Sequence, residues 1–232
     1  MKQVDIFRIP VYEFNNREHD YYKDAWLNYI RDNHRFIERE GISYTHPNLH
    51  KDALFKPFTN FINWSITQML IDLDMDSNFG ITSMWGTHQS IKGSHSAHTH
   101  GNNLLAGVYY LHADRPQESG TVFENVMADL NPIKLKRDPH QTIDTEEMRT
   151  SFYNNLHRVK FEEGKLVLFP AWLRHRTYPY LGKERAIIGV NIMPIGLTQT
   201  DPFDRYDYQD FSNRKMLGDD IFQWKSNKLG NP

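Results

Sequence analysis

Two amphipathic segments open the pattern of hydrophobic and polar positions along the chain. Residues 17–39 place Tyr22, Trp26 and Ile37 near a helical spacing, with acidic residues early, arginines late and Gly41 beyond the end. Residues 55–75 carry an apolar stripe at intervals of three and four, formed by Phe58, Phe61, Ile62, Ile66, Met69, Leu70 and Leu73. Such a stripe is typical of a helix that packs on a core. The pattern therefore predicts two helices, at about 17–39 and 55–75.

Short apolar runs replace the helical pattern after Gly80. They cover residues 80–88, 104–112, 120–126, 156–161, 164–170 and 184–194, and glycine or proline separates them. An earlier run at 4–14 contains Pro10, which cannot donate to a ladder, so we expect an edge or leading strand there. Because most of the runs have no helical segment between them, the sequence predicts a mainly β fold, an antiparallel sandwich or barrel.

Two polar segments interrupt or follow this pattern. Residues 127–155 form a long insertion of low periodicity, as functional or disordered loops often do. The tail is polar and aromatic, and we expect it to pack on the domain or on a second copy in a homodimer. The sequence thus predicts one domain over residues 1–196 and a C-terminal extension over 197–232.

Composition narrows the possible chemistry. Among 232 residues there is no cysteine, so disulfides and thiolate metal sites are excluded, and His, Asp and Glu remain as ligands. The formal net charge of −2 gives no basic field, so we expect neither a nucleic-acid partner nor a membrane surface. No apolar run approaches the roughly 18 residues of a membrane span, and the N-terminus does not resemble a signal peptide. We expect a cytoplasmic protein.

Histidines cluster directly before the run at 104–112. In the sequence "HTH", His98 and His100 are two residues apart, and in a strand they would point to the same side. Two imidazoles from one strand edge are half of a facial metal site. We expect His88 and His95 to be solvated loop residues, and a role for them beside the metal or the substrate stays open.

Candidates for the rest of a site lie near the end of the β region. His175 follows the run at 164–170, and Arg185 comes ten residues later at the start of the last run. On that strand Arg185 shares a face with Asn191 and with apolar positions. An arginine that points into a barrel is costly unless it meets an anion, and its planar fork matches a carboxylate.

In this order, "HTH", "GVYYL", "FPAWLRH" and "KER" resemble the iron(II)- and 2-oxoglutarate-dependent oxygenases. The likeness is greatest to a bacterial and phage branch with H-x-H in place of H-x-D, and it covers roughly residues 4–194. The resemblance implies a double-stranded β-helix, a cupin-like jelly roll with the two N-terminal helices packed on it. It also places the chain in a bacterial cell or a phage-infected host.

The same resemblance implies the site and the activity. His98, His100 and His175 would bind iron(II), while Arg185 and Tyr110 would bind the far carboxylate of 2-oxoglutarate, with Asn191 lining the pocket. The enzyme would be a dioxygenase, a hydroxylase that couples decarboxylation of 2-oxoglutarate to oxidation of a substrate by dioxygen. Nothing in the sequence identifies the substrate.

Three alternatives stay open at this stage. The wider superfamily has a carboxylate where this chain has His100, so Glu124, on the following strand, is a rival third ligand. A cupin-like three-histidine enzyme that does not use 2-oxoglutarate is a second possibility, although it would have no need of Arg185. A non-catalytic jelly-roll module of a phage is the third.

Overall fold

The computed structural model describes residues 9–34, 37–39, 41–75, 78–126 and 156–195. The predicted insertion at 127–155 and the predicted extension at 197–232 lie outside the described residues, as do positions 4–8 of the first predicted strand. The division into a domain and an extension at residue 196 therefore stays a prediction.

A seven-stranded antiparallel sheet is the centre of the fold. It consists of β1 (Tyr12–Asn15), β2 (Ile37–Arg39), β3 (Ile42–Tyr44), β4 (Asn78–Gln89), β5 (Leu105–Ala113), β8 (Lys165–Pro170) and β10 (Arg185–Ile195), in the spatial order β1-β8-β5-β10-β4-β3-β2. The register of β10 places Arg185 opposite Gln89 on one side and Ala113 on the other. This pairing fixes which side chains surround the first residues of β10.

A smaller antiparallel sheet covers one face of the large one. It contains β6 (Gly120–Glu124), β7 (Leu156–Lys160) and β9 (His175–Arg176), in the order β7-β6-β9. An isolated antiparallel bridge between His98 and His175 extends it by one position. The residues before β5 are thus joined to the smaller sheet, while β5 itself belongs to the larger one.

Two helices cover the other face of the large sheet. They are α1 (His19–Asn33) and α2 (Lys56–Asp72), and short 3-10 turns lie at Leu49–Lys51, Ala53–Phe55 and Pro116–Glu118. Proline in the first turn of α2 suits a helix start, where its missing N–H is not needed. Among the described residues, neither helix combines the length and the apolar character needed to cross a membrane.

Strand alternation divides the apolar side chains between two cores. In β5, Tyr109 and Leu111 face the helices, where they pack with Trp26 and Phe58, whereas Tyr110 faces the smaller sheet. Full burial of one such large side chain contributes about 1.5–3 kcal/mol. Two facing antiparallel sheets with helices on the outer face confirm the predicted double-stranded β-helix.

The predicted helix over 17–39 is wrong at its C-terminal end, because α1 stops at Asn33 and residues 37–39 form β2. The imidazole Nδ1 of His34 lies 2.6 Å from the carbonyl oxygen of Arg31 and so occupies an acceptor that another helical turn would use. Gly41 has a φ of +72°, which favours glycine, and lies in the turn between β2 and β3 rather than after a helix.

Candidate metal centre

Main-chain hydrogen bonds bring the three predicted histidines together at one end of the barrel. The N–H of His98 donates to the carbonyl of His175, and the N–H of His175 donates to the carbonyl of His98, both at 3.0 Å. The N–H of His100 donates to the carbonyl of Ala171 at 2.8 Å. The segment at 98–100 is therefore aligned with the segment at 171–175 before any side chain is considered.

The three imidazoles converge on one point. His98, His100 and His175 each offer one nitrogen within 4.8 Å of the other two, and they form a group of possible metal ligands in the described residues. The Nε2 atoms of His100 and His175 are 3.3 Å apart, and their rings are parallel to within 3°. The ring centroids of His98 and His175 are 4.4 Å apart.

Hydrogen bonds at the opposite ring nitrogen fix the tautomer of two of these histidines. Nδ1 of His98 lies 2.7 Å from the carbonyl oxygen of Ser96, and Nδ1 of His175 lies 2.9 Å from that of Leu173. A carbonyl only accepts, so each Nδ1 carries a proton, and in the neutral tautomer each Nε2 keeps a lone pair. This is the arrangement that a metal ligand requires.

Burial favours the neutral form of His100 and His175. It is the main cause that lowers the pKa of His175 to about 3, and the neighbouring His98 lowers it further. Burial also lowers the pKa of His100 to about 4, with His98 as the next cause, whereas Asn191 acts in the opposite direction. Neutral imidazole is the form that binds a metal, so no proton has to be displaced from His100 or His175 near neutral pH.

Aromatic side chains surround the cluster. The ring of Trp85 stacks on that of His100 with centroids 6.0 Å apart, and Phe169 meets His175 edge-on at 4.7 Å. Gly189 makes room for Trp85, because a Cβ there would lie 2.5 Å from the indole ring. The cluster thus has apolar walls that reduce the access of water.

Glu124, the rival ligand, does not join the histidines. Its carboxylate pairs with Arg174 at 2.8 Å and with Arg176 at 3.3 Å. The preceding Phe123 pairs with His175 in the sheet, and strand alternation directs the neighbouring side chain to the other face. The geometry therefore favours His100 over Glu124 as the third nitrogen or oxygen donor.

Arg185 is buried in the barrel and has no ionic partner among the described residues. Its Nη1 donates to Oε1 of Gln89 at 3.0 Å, and its guanidinium lies 5.8 Å from the centre of the Phe161 ring. In the described part of the chain, its Nε has no hydrogen-bond partner, and no carboxylate forms an ion pair with it. Burial lowers the pKa of Arg185, which records the cost of keeping a cation there.

The two other predicted pocket residues have partners of their own. The hydroxyl of Tyr110 donates to Oγ1 of Thr121 at 2.9 Å and accepts from the N–H of Thr121 at 3.1 Å. The amide of Asn191 donates to Oγ of Ser83 at 3.0 Å, while its Oδ1 has no partner among the described residues. Tyr110 would have to turn its O–H away from Thr121 in order to bind a carboxylate.

His88 and His95 are not the solvated loop residues that the sequence suggested. His88 lies on β4, and its Nε2 is 3.0 Å from a carboxylate oxygen of Glu184. His95 is half-buried, its ring centre is 5.8 Å from that of His98, and burial lowers its pKa to about 3. His95 borders the histidine cluster, whereas His88 belongs to a separate ion-pair group.

Gln89 and Thr121 are the polar residues near the site that sequence reasoning missed. Gln89 is 1% exposed and faces Arg185 only because β4 and β10 pair in the observed register. Thr121 is 3% exposed and holds Tyr110. The sequence signal for Gln89 was its position as a polar residue directly after the apolar run at 80–88. The sequence did not show its partner, because that contact depends on strand register.

Comparison with known proteins agrees with this geometry. Residues 83–191 match the model of a family described as "Putative 2OG-Fe(II) oxygenase". That range contains the three histidines, Tyr110, Arg185 and Asn191. A search of curated proteins gives no match.

Solved structures with the same fold are distant in sequence. HygX from Streptomyces hygroscopicus, with nickel, 2-oxoglutarate and hygromycin B bound, is 11% identical, with a TM-score of 0.56 over 80% of this chain and 83% of that one. The viral collagen prolyl hydroxylase vCPH from Paramecium Bursaria Chlorella virus-1, in its 2-oxoglutarate complex, is 12% identical, with a TM-score of 0.51 over 78% and 94%.

The epimerase SnoN, in complex with Fe3+, alpha ketoglutarate and nogalamycin RO, is 10% identical, with a TM-score of 0.59 over 86% of this chain and 91% of that one. At these identities the three structures establish the fold. The family match covers residues 83–191, the range that holds the candidate metal and cosubstrate residues, and over this range the chain is similar to the iron(II)- and 2-oxoglutarate-dependent oxygenases.

Proposed function

We propose that this oxygenase is a hydroxylase that binds iron(II) through His98, His100 and His175 and binds 2-oxoglutarate through Arg185. One observation carries the proposal. Three imidazoles converge at the mouth of a barrel whose interior also holds a buried guanidinium without an ionic partner in the described residues. A metal and a dicarboxylate would together satisfy both groups.

The donor set fits iron(II). Imidazole nitrogen is a suitable ligand for iron, and the two Nδ1 hydrogen bonds to carbonyl oxygens hold His98 and His175 with Nε2 toward the cluster. The set has no carboxylate, because Glu124 is engaged by two arginines on the outer face. A three-histidine site leaves the charge of the metal uncompensated by the protein, which favours an anionic cosubstrate.

The interior fits a dicarboxylate. The Nε of Arg185 has no hydrogen-bond partner among the described protein groups, and a carboxylate would form a charge-assisted hydrogen bond there. We assign Tyr110 to the same carboxylate, through a turn of its hydroxyl, and Asn191 to the pocket beside His100. A three-histidine cupin that does not use 2-oxoglutarate would leave Arg185 as an unexplained buried charge.

The residues of this chain orient the reactants and exclude water. Arg185 fixes one end of 2-oxoglutarate, the histidines fix the metal, and Trp85 with Phe169 forms apolar walls that keep side reactions away. Iron(II) and 2-oxoglutarate, when bound, supply the activation of dioxygen and the oxidation of the substrate.

Hydroxylation is the outcome that we propose for the substrate. It is supported by vCPH, which is named a prolyl hydroxylase, whereas SnoN is named an epimerase. A screen of candidate substrates would measure succinate formed from 2-oxoglutarate with iron(II), in air and under nitrogen. Mass spectrometry with isotope-labelled dioxygen would then identify the product.

A product that has gained one labelled oxygen atom is the expected result. A product that is an isomer of the substrate, or that has lost hydrogen without gaining oxygen, would contradict the hydroxylase and leave the oxygenase assignment intact. Cytoplasmic location in a bacterial or phage-infected cell and the homodimer stay predictions. Sedimentation of the purified chain tests the homodimer.

A further inference from the structure

A turn built around the carboxylate of Asp114 leads directly into Arg185. The N–H groups of Lys183 and Glu184 donate to this carboxylate at 2.8 and 3.2 Å, and the hydroxyl of Tyr180 donates to it as well. In return, the N–H of Asp114 donates to the carbonyl of Glu184 at 3.1 Å. Three donors therefore hold the chain on one exposed carboxylate immediately before the residue that we assign to 2-oxoglutarate.

Tyr180 connects this turn to the interior of the barrel. Its main chain is fixed on both sides, because its N–H donates to the carbonyl of Gly93 at 2.9 Å and its carbonyl accepts from Lys92 at 2.7 Å. Its ring is 1% exposed and packs in the same core as Tyr110 and Phe161. The hydroxyl also accepts from the N–H of Arg115 at 3.1 Å. The main chain and the ring of Tyr180 are thus held in place, and the turn is hydrogen-bonded to its hydroxyl.

The turn has no room for a side chain at Gly182. A Cβ at Gly182 would collide with the Asp114 carboxylate and would lie 2.5 Å from the Tyr180 hydroxyl. The hydroxyl of Tyr180 is the main cause that lowers the pKa of Asp114 to about 2, and burial raises the pKa of Tyr180 to about 12. The acceptor stays charged and the donor stays protonated across the range in which the enzyme would work.

Arg185 depends on this turn because little else holds it. Within the described residues its guanidinium has one hydrogen-bond partner, Gln89, and a stack on Phe161. A bidentate fork loses its match to a carboxylate when it shifts by a fraction of an ångström. We propose that Asp114 and Tyr180 are positioning residues that set the place of Arg185 and with it the affinity for the far carboxylate of 2-oxoglutarate. This inference rests on the proposed function.

Calorimetry on nickel(II)-loaded protein under nitrogen tests the proposal with two ligands. One is 2-oxoglutarate, and the other is 2-oxobutyrate, which has the same 2-oxo acid end but no far carboxylate. Tyr180→Phe and Asp114→Asn should each weaken 2-oxoglutarate binding roughly tenfold, as expected for a lost hydrogen bond to a charged group, and leave 2-oxobutyrate binding unchanged. Bound nickel should equal that of the parent.

Tyr12→Phe is the matched control. The hydroxyl of Tyr12 also donates to a carboxylate, that of Asp72 at 2.7 Å, but at the far edge of the large sheet. It should lose comparable thermal stability and keep the affinity for both ligands. Asp114→Glu keeps the charge and should restore part of the 2-oxoglutarate affinity.

Two outcomes would overturn the inference: a Tyr180→Phe protein that binds 2-oxoglutarate as the Tyr12→Phe protein does, or one that loses affinity for both ligands equally. The Arg185→Ala variant distinguishes a failure of the positioning role from a failure of the proposed function. If Arg185→Ala binds 2-oxoglutarate normally, the assignment of Arg185 itself is wrong. If Arg185→Ala loses 2-oxoglutarate while Tyr180→Phe does not, only the positioning role fails.

Discussion

Arg185→Met should make the ligand-free protein more stable and the liganded protein less stable than the parent. The guanidinium is 3% exposed and has one hydrogen-bond partner in the described residues, so the parent bears a desolvation cost of about several kcal/mol for this ion. Methionine has a similar volume and keeps the apolar contact with Phe161. Its substitution removes the charge without opening a large cavity.

The loss of the arginine also has a cost. Oε1 of Gln89 would lose its donor in a place where the side chain is 1% exposed, and an unsatisfied buried acceptor costs about 1–3 kcal/mol. The net gain should be about 1–2 kcal/mol. At about 2–4 °C per kcal/mol for a domain of this size, the melting temperature of the ligand-free variant should rise by about 2–8 °C.

The order should reverse with 2-oxoglutarate. A ligand at 100 times its dissociation constant stabilises the folded state by about 2.7 kcal/mol, which is about 5–10 °C for the parent, and the variant should gain almost nothing. Differential scanning calorimetry of nickel(II)-loaded protein with and without 2-oxoglutarate measures both halves. Arg174→Met is the control, because Arg174 is exposed and pairs with Glu124 away from the barrel.

Two results would refute this reasoning. A fall in the melting temperature of ligand-free Arg185→Met would mean that the buried cation stabilises the fold through a partner outside the described residues. An undiminished response of the variant to 2-oxoglutarate would mean that the cosubstrate does not use Arg185.

Three further predictions concern the metal cluster and the ion pairs. His100→Asp should keep the metal and His100→Ala should lose much of it, while Glu124→Gln should leave the metal content unchanged. Plasma emission spectroscopy measures the metal content, and a loss of metal from Glu124→Gln would show that Glu124 is a ligand. Gly189→Ala should push Trp85 against His100, lower the free energy of unfolding by about 1–3 kcal/mol and change the tryptophan fluorescence. An unaltered spectrum with full stability would contradict the close contact between Gly189 and Trp85. Arg31 on α1 is the main cause that lowers the pKa of the Glu184 carboxyl to about 2, so this ion pair stabilises the fold above the usual glutamate pKa and is lost as the pH falls toward 2. Glu184→Gln should therefore reduce the loss of stability that urea titrations measure between about pH 5 and pH 2. An unchanged pH dependence of stability in this variant would contradict the prediction.

The β architecture was predictable because each long strand carries its own signal. The apolar runs at 104–112 and 184–194 became β5 and β10 with shifts of one residue at their ends. The opposite directions of Tyr109 and Tyr110 also followed from strand alternation, and the two side chains lie in different cores. Local periodicity was sufficient for these elements since it does not depend on distant partners.

The errors came from short elements and from distant partners. β2, β3 and β9 contain two or three residues each, too few for a period, and Ile37 happened to extend the helical spacing beyond the end of α1. The contact of Gln89 with Arg185 depends on sheet register, and the turn around Asp114 joins residues about 70 positions apart. Neither has a signature in one local stretch of sequence.

The two cores on opposite faces of the large sheet give the molecule unequal resistance to local opening. Amide protons in the middle of β5 and β10 lie between both cores and strand neighbours on each side, so they should exchange with solvent only when the whole domain unfolds. The segments at 93–104 and 171–178 are joined to each other by a few main-chain hydrogen bonds around His98 and His100. Their amides should exchange sooner, through an opening that leaves the helices in place. The rate at which a metal enters or leaves the histidines would then follow this local opening and would be insensitive to substitutions in the helix-side core.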